Sequence, residues 1–201
     1  MLVFGRFEDY IVNDVVSYID SNFNTLDSTY YRGIIGISMG AYGALRLGFR
    51  HPDVFHAVGA HSGPVAFEEF IEEDGMGGKR LTEWVRLGLM MENGGGRIPS
   101  PLVKPLPDPE RPLTSMLFAM AGAFTPRIAL DLSDTLNYDF MPVLQINDVY
   151  EGVLLPFDTL FGIKLNVWDI WSREADIVHM AEEFKDEIMS NDLKIYFDCG
   201  D

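Results

Sequence analysis

GIIGISMGAYGALRLGF, residues 33–49, holds Ser38 with a glycine two positions to either side, Gly36 and Gly40. Glycine is 19 of 201 residues, so such spacing arises by chance around one of the chain's serines with a probability of about 0.1. The setting adds what the spacing lacks. Tyr31 to Ile37 is short, apolar and β-branched, which predicts a buried strand. AYGALRLGFRHP after it predicts a helix stopped by Pro52. A serine on a sharp strand-to-helix turn is forced into strained backbone angles and exposed at the carboxyl edge of the sheet. Glycines at 36 and 40 are expected to relieve the crowding there. The helix N-terminus offers its dipole and the Met39 N–H to a developing oxyanion. The plainer alternative is tight glycine packing that happens to include a serine.

VFHAVGAH, residues 54–61, predicts a second buried strand, so strand, helix and strand form a βαβ unit with parallel pairing. A third strand is expected at LKIYFD (193–198), led by helical AEEFKDEIMS (181–190). Before the elbow, FEDYIVNDVVSYIDSNF (7–23) places Phe7, Ile11, Val15, Ile19 and Phe23 four apart, the stripe of an amphipathic helix. The class is α/β. The expectation is one α/β domain over 1–201 with a mostly parallel sheet, flanking helices and an insert or lid at about 64–150. That insert carries an acidic helix candidate (EEFIEED), a glycine tract (Gly94 to Gly96) and the proline-dense RIPSPLVKPLPDPERP, which must be loop.

Net charge is −16, from 15 basic and 31 acidic residues, a field that repels nucleic acid. Cys199 is the single cysteine, so no intrachain disulfide forms and no Cys-rich metal site exists. No apolar run reaches the roughly 18 residues of a membrane span. The N-terminal MLVFGRFEDY is too polar for a signal-peptide core. The compartment stays open, with the cytoplasm slightly favoured. Neither a metal nor a cofactor is expected; a homo-oligomer is an open option.

SMGAYGALRLGFRHPDVFHAVGAHSG resembles the esterase branch of the α/β-hydrolases that includes esterase D, feruloyl esterases and the antigen 85 acyltransferases. The likeness continues through FEDYIVNDVVSYID, MAGAFTP, LLPFD, Trp168, Trp171 and KIYFDCGD, and thins over about 70–112. The resemblance implies a serine hydrolase of carboxylic esters, with Ser38 as nucleophile and Met39 N–H as an oxyanion donor. It also implies an acid three residues past Gly200 and a histidine later still. Asp201 is then a candidate acid only in a shifted register.

Serine needs a histidine to take its proton and a carboxylate to orient that histidine. Of the four histidines, His51 lies too far along the helix and His56 opens its strand at the wrong edge. His179 falls in a helix that cannot be placed. His61 ends its strand at the correct edge, although a polar strand terminus or pocket wall is the plainer reading. The N-terminal 30 residues offer no strand for a second oxyanion donor. The chain therefore reads as the middle of a longer hydrolase, expected to turn over p-nitrophenyl acetate weakly. Robust turnover lost in Ser38→Ala would promote His61. A non-catalytic hydrolase-fold binding module and an acyltransferase are the alternatives. Elsewhere, Trp168 and Trp171 are expected in the core, Met116, Phe118, Met120 and Phe124 in core or an acyl pocket, and Glu68, Glu69, Glu72, Glu73 and Asp74 on a solvated face.

Overall fold

The computed structural model describes residues 7–96, 98, 108–125, 153–158 and 160–199. Helix α1 (Phe7–Asp9) runs through a π-helical stretch, Tyr10–Val15, into α2 (Val16–Asn22). A short 3₁₀ turn at Thr29–Tyr31 precedes β1 (Gly33–Ile37), α3 (Met39–Arg50) and β2 (Ala57–His61). Another, Phe67–Phe70, leads into β3 (Ile71–Glu73), β4 (Lys79–Leu81), α4 (Glu83–Glu92) and α5 (Pro112–Phe124). Then follow α6 (Leu165–Ala175), α7 (Ile177–Glu183), α8 (Lys185–Ser190) and β5 (Lys194–Asp198). The chain divides into two compact units, Met1–Phe67 with Ala175–Asp201, and Glu68–Glu174.

In the first unit β1, β2 and β5 form a parallel sheet in that order, the mixed α/β arrangement expected. The register sets Ile37, His61 and Asp198 side by side at the carboxyl edge. Alternation sends Val58 and Ala60 to one face, where they meet Ala41, Ala44, Leu45 and Phe49 of α3 and Ile177 and Met180 of α7. Burial of each large apolar side chain there contributes about 1.5–3 kcal/mol. The other face carries Ile35, Ile37 and Tyr196, all exposed, with Gly59, His61 and Asp198.

Several elements differ from expectation. β1 and β2 are shorter at their amino ends, because Thr29–Tyr31 turns and Val54 and Phe55 close a turn on the His51 carbonyl. The helical segment before the elbow spans the expected residues and covers only the middle of the expected stripe. Val12 is the buried member, with Ile11 and Val16 partly covered against Leu47 and Phe55, whereas Phe7 and Phe23 are exposed. On α3, Ala41 and Ala44 are buried. Gly48 makes a close approach against Val58, whereas a Cβ on Gly43 would meet nothing within 4 Å among the described residues.

In the second unit the expected acidic helix EEFIEED is a 3₁₀ turn followed by β3, paired antiparallel with β4. The Asp74 carboxylate accepts the N–H groups of Met76 and Gly78, folding the chain back and favouring a hairpin over a helix. Glu72 then lies opposite Arg80 and also reaches Arg86. Trp168 and Trp171 are core residues, stacked at 6.4 Å, and Trp171 donates to Thr125 Oγ1, which donates to the Leu154 carbonyl. Phe118 is buried while Met116 is exposed. Glu92 accepts from the Leu113 and Thr114 N–H groups, an anion placed at the N-terminus of α5. Most of RIPSPLVKPLPDPERP lies outside the described residues; its last residue, Pro112, opens α5 at the position where a missing N–H costs nothing.

Candidate active site

Ser38 stands between β1 and α3 with φ 55° and ψ −122°, a backbone conformation that L residues other than glycine rarely hold. Its N–H donates to the His61 carbonyl at 2.9 Å, continuing the ladder one step past the strands. Its own carbonyl accepts from Ala41 and Tyr42, starting α3 at once. The strain is thus held from both sides.

The two elbow glycines have different causes. A Cβ on Gly36 would come within 2.0 Å of the Gly40 carbonyl oxygen, so no side chain fits. A Cβ on Gly40 would meet nothing within 4 Å among the described residues, so the expected crowding is absent at that position. A third glycine relieves crowding at the elbow in its place. Gly63, just beyond β2, packs over the first turn of α3, where a Cβ would come within 2.6 Å of the Ala41 methyl group and 3.0 Å of the Ser38 carbonyl oxygen. Ser62 before it also has a positive φ, 51°, and its N–H is held by the Asp198 carbonyl.

The N–H groups of Met39 and Gly40 head α3 with no hydrogen-bond partner among the described residues. Open donors at a helix N-terminus are suited to negative charge. The Ser38 hydroxyl caps nothing on α3. The first unit thus brings together Ser38, the Met39 N–H and His61 at one edge of the sheet.

Sequence reasoning missed Asp198. Its Oδ2 lies 3.0 Å from His61 Nδ1, both side chains being partly exposed. The register of β2 with β5 creates this pair from residues 137 positions apart. The signal available was the strand-end position of both residues. Asp201 and Gly200 lie outside the described residues. His51 binds Glu8 at 2.8 Å beyond the far end of α3, and His56 stacks on Tyr30 at the amino edge. His179 sits in the first turn of α7, its N–H given to the buried carboxylate of Asp176. No group of three or more His, Cys, Asp or Glu suited to a metal occurs among the described residues.

The family model described as Putative esterase matches residues 4–201. The chain belongs to this esterase family. No curated protein matches the sequence. Membership supports hydrolase chemistry on a small-molecule ester. No helix among the described residues of this esterase is long and apolar enough to cross a membrane.

Proposed function

We propose that the protein is a serine carboxylic-ester hydrolase in which Ser38 forms an acyl-enzyme. The observation that carries the reading is the strained conformation of Ser38 between a parallel strand and a helix N-terminus. A residue held there at a cost of about 1–3 kcal/mol points to use of its side chain.

In this reading Ser38 Oγ attacks the ester carbonyl, whose π electrons move onto oxygen. The Met39 N–H receives the oxyanion, and each such donor contributes on the order of 10²–10³ in rate. Collapse of the tetrahedral intermediate expels the alcohol and leaves the acyl group on Ser38; water then releases the acid.

The test is labelling with a fluorophosphonate probe followed by peptide mapping. The expected result is a single modified peptide containing Ser38, absent from Ser38→Ala. Folded protein that stays unlabelled at Ser38 would sink the assignment.

A further inference from the structure

We propose that Ser62 is a substrate-binding residue beside Ser38, and that it selects esters of acids bearing an oxygen on the carbon next to the carboxyl group. This rests on the reading of Ser38 as nucleophile and deepens it by naming the class of acyl group.

Ser62 repeats the arrangement of Ser38 one strand further across the sheet. Each serine directly follows the last residue of a parallel strand, β1 or β2. Each gives its N–H to the last carbonyl of the next strand, Ser38 to His61 at 2.9 Å and Ser62 to Asp198 at 2.6 Å. Each then turns with a positive φ, 55° and 51°. Ile37 and His61 are register partners, so the serines that follow them stand side by side on strands about 4.8 Å apart. The closeness is also visible at Gly63, where a Cβ would lie 3.0 Å from the Ser38 carbonyl oxygen and 3.1 Å from the Tyr42 nitrogen.

Among the described residues, four other than glycine hold a positive φ: Ser38, Ser62, Phe161 and Asp192. Phe161 is buried with its ring against Phe157. Asp192 accepts from Lys194 in the turn before β5, and aspartate tolerates this conformation better than most residues. Ser62 has neither reason. It is exposed, and its hydroxyl makes no hydrogen bond among the described residues. Glycine would hold φ 51° without strain. A strained residue whose polar group serves nothing in the fold, beside the strained nucleophile, is placed to meet a ligand.

The Ser62 hydroxyl can donate one hydrogen bond. The acyl group stays on Ser38 through acylation and hydrolysis, so it is the part of the substrate that a fixed neighbour meets throughout. An oxygen on its second carbon stands three covalent bonds from Ser38 Oγ. A hydrogen bond of about 2.8 Å then bridges what remains of the gap between the two strands. With the Met39 N–H on the carbonyl oxygen and the Ser62 hydroxyl on this second oxygen, the acyl group is held at two points.

The experiment compares acylation of Ser38 in the full chain by p-nitrophenyl methoxyacetate and p-nitrophenyl butyrate. The two esters have the same shape and differ by one ether oxygen in place of a methylene. Acylation is read from released p-nitrophenolate and from the mass of the Ser38 peptide. The intrinsic reactivity of the two esters cancels when their rate ratio is compared between proteins. That ratio is expected to fall about 2–12-fold from wild type to Ser62→Gly and to Ser62→Ala, the span of one neutral hydrogen bond. Ser62→Gly is expected at the same time to raise the melting temperature by a few degrees, because glycine relieves the strain. Equal ratios in wild type and in the folded variants overturn the proposal while leaving Ser38 as nucleophile. So does a Ser62→Gly protein that melts well below wild type, since the serine would then serve the fold. Folded wild type that takes a fluorophosphonate at Ser38 but neither ester overturns the substrate class alone. Absence of every label at Ser38 on folded wild type overturns both readings.

Discussion

At the scale of single residues, the elbow is governed by which atoms lie within a bond length or two of a missing methyl group. Gly36 has the Gly40 carbonyl in that space, and backbone cannot step aside as a flexible side chain can. Gly36→Ala is therefore expected to cost more than about 3 kcal/mol or to prevent folding, as judged by urea denaturation. Gly40→Ala is expected to be tolerated. Its Cβ meets nothing within 4 Å among the described residues, and alanine in place of glycine in a helix gains up to about 1 kcal/mol. A Gly40→Ala protein destabilised as much as Gly36→Ala would show that the two glycines share one cause after all. The paired glycines signal the elbow in the sequence, yet a sequence pattern cannot say which glycine is sterically required. That distinction depends on the direction in which each absent Cβ would point.

At the scale of elements, what is legible follows from how locally each element is determined. β1, α3 and β2 are marked by apolar composition, a glycine-bounded turn and Pro52, all within a few residues, and they form near their expected limits. The π-helical stretch at Tyr10–Val15 is invisible to a 3.6-residue pattern, which marks Ile11 but not its neighbour Val12, the residue that is fully covered. Likewise, EEFIEED looks helical until the Asp74 turn bends it back onto β4. His61 and Asp198 meet only because β5 joins β2, a long-range consequence of topology. The same holds for Asp176, the N-cap of α7. One carboxylate oxygen accepts the His179 N–H at 2.9 Å, and the other accepts the Phe67 N–H at 2.7 Å. The residue is buried, so the segment leaving β2 is fastened to α7 away from water. Asp176→Ala is expected to lower stability by about 2–4 kcal/mol, combining a lost cap with a buried N–H left unsatisfied. Asp176→Asn keeps one acceptor and should lose less. Chemical denaturation of the two variants checks the order; equal losses would mean that the second hydrogen bond contributes nothing.

At the scale of the whole molecule, 31 acidic against 15 basic residues set the response to acid. Among the described residues, four carboxylates are held below their ordinary range by particular contacts. For Glu8, partial burial pushes the group up, but hydrogen bonds from Arg50 and His51 outweigh it. Asp20 is lowered by the Thr25 hydroxyl and then by Arg32, Asp74 by the N–H groups of Met76 and Gly78, and Asp192 by Lys194. Each group is thus more acidic folded than unfolded. Its contribution is fully present above the unfolded value, near 4.5 for Glu8 and 3.8 for the aspartates, and is lost as pH falls through the lower folded value. Stability is therefore expected to hold from neutral pH to about 5 and to decline below it, close to the isoelectric point of about 4.5, where charge repulsion no longer keeps molecules apart. Glu8 is the informative probe, because it ties the amino-terminal helix to Arg50 and His51 at the far end of α3. A partly exposed pair of this kind is worth about 0.5–1 kcal/mol. Glu8→Gln is expected to lower the melting temperature at pH 7 by a few degrees. The difference from wild type should close as pH falls through the lowered folded value of Glu8, where the group itself becomes neutral. A gap that persists unchanged down to the lowest pH at which the protein still melts cooperatively would show that Glu8 acts through packing rather than through its charge.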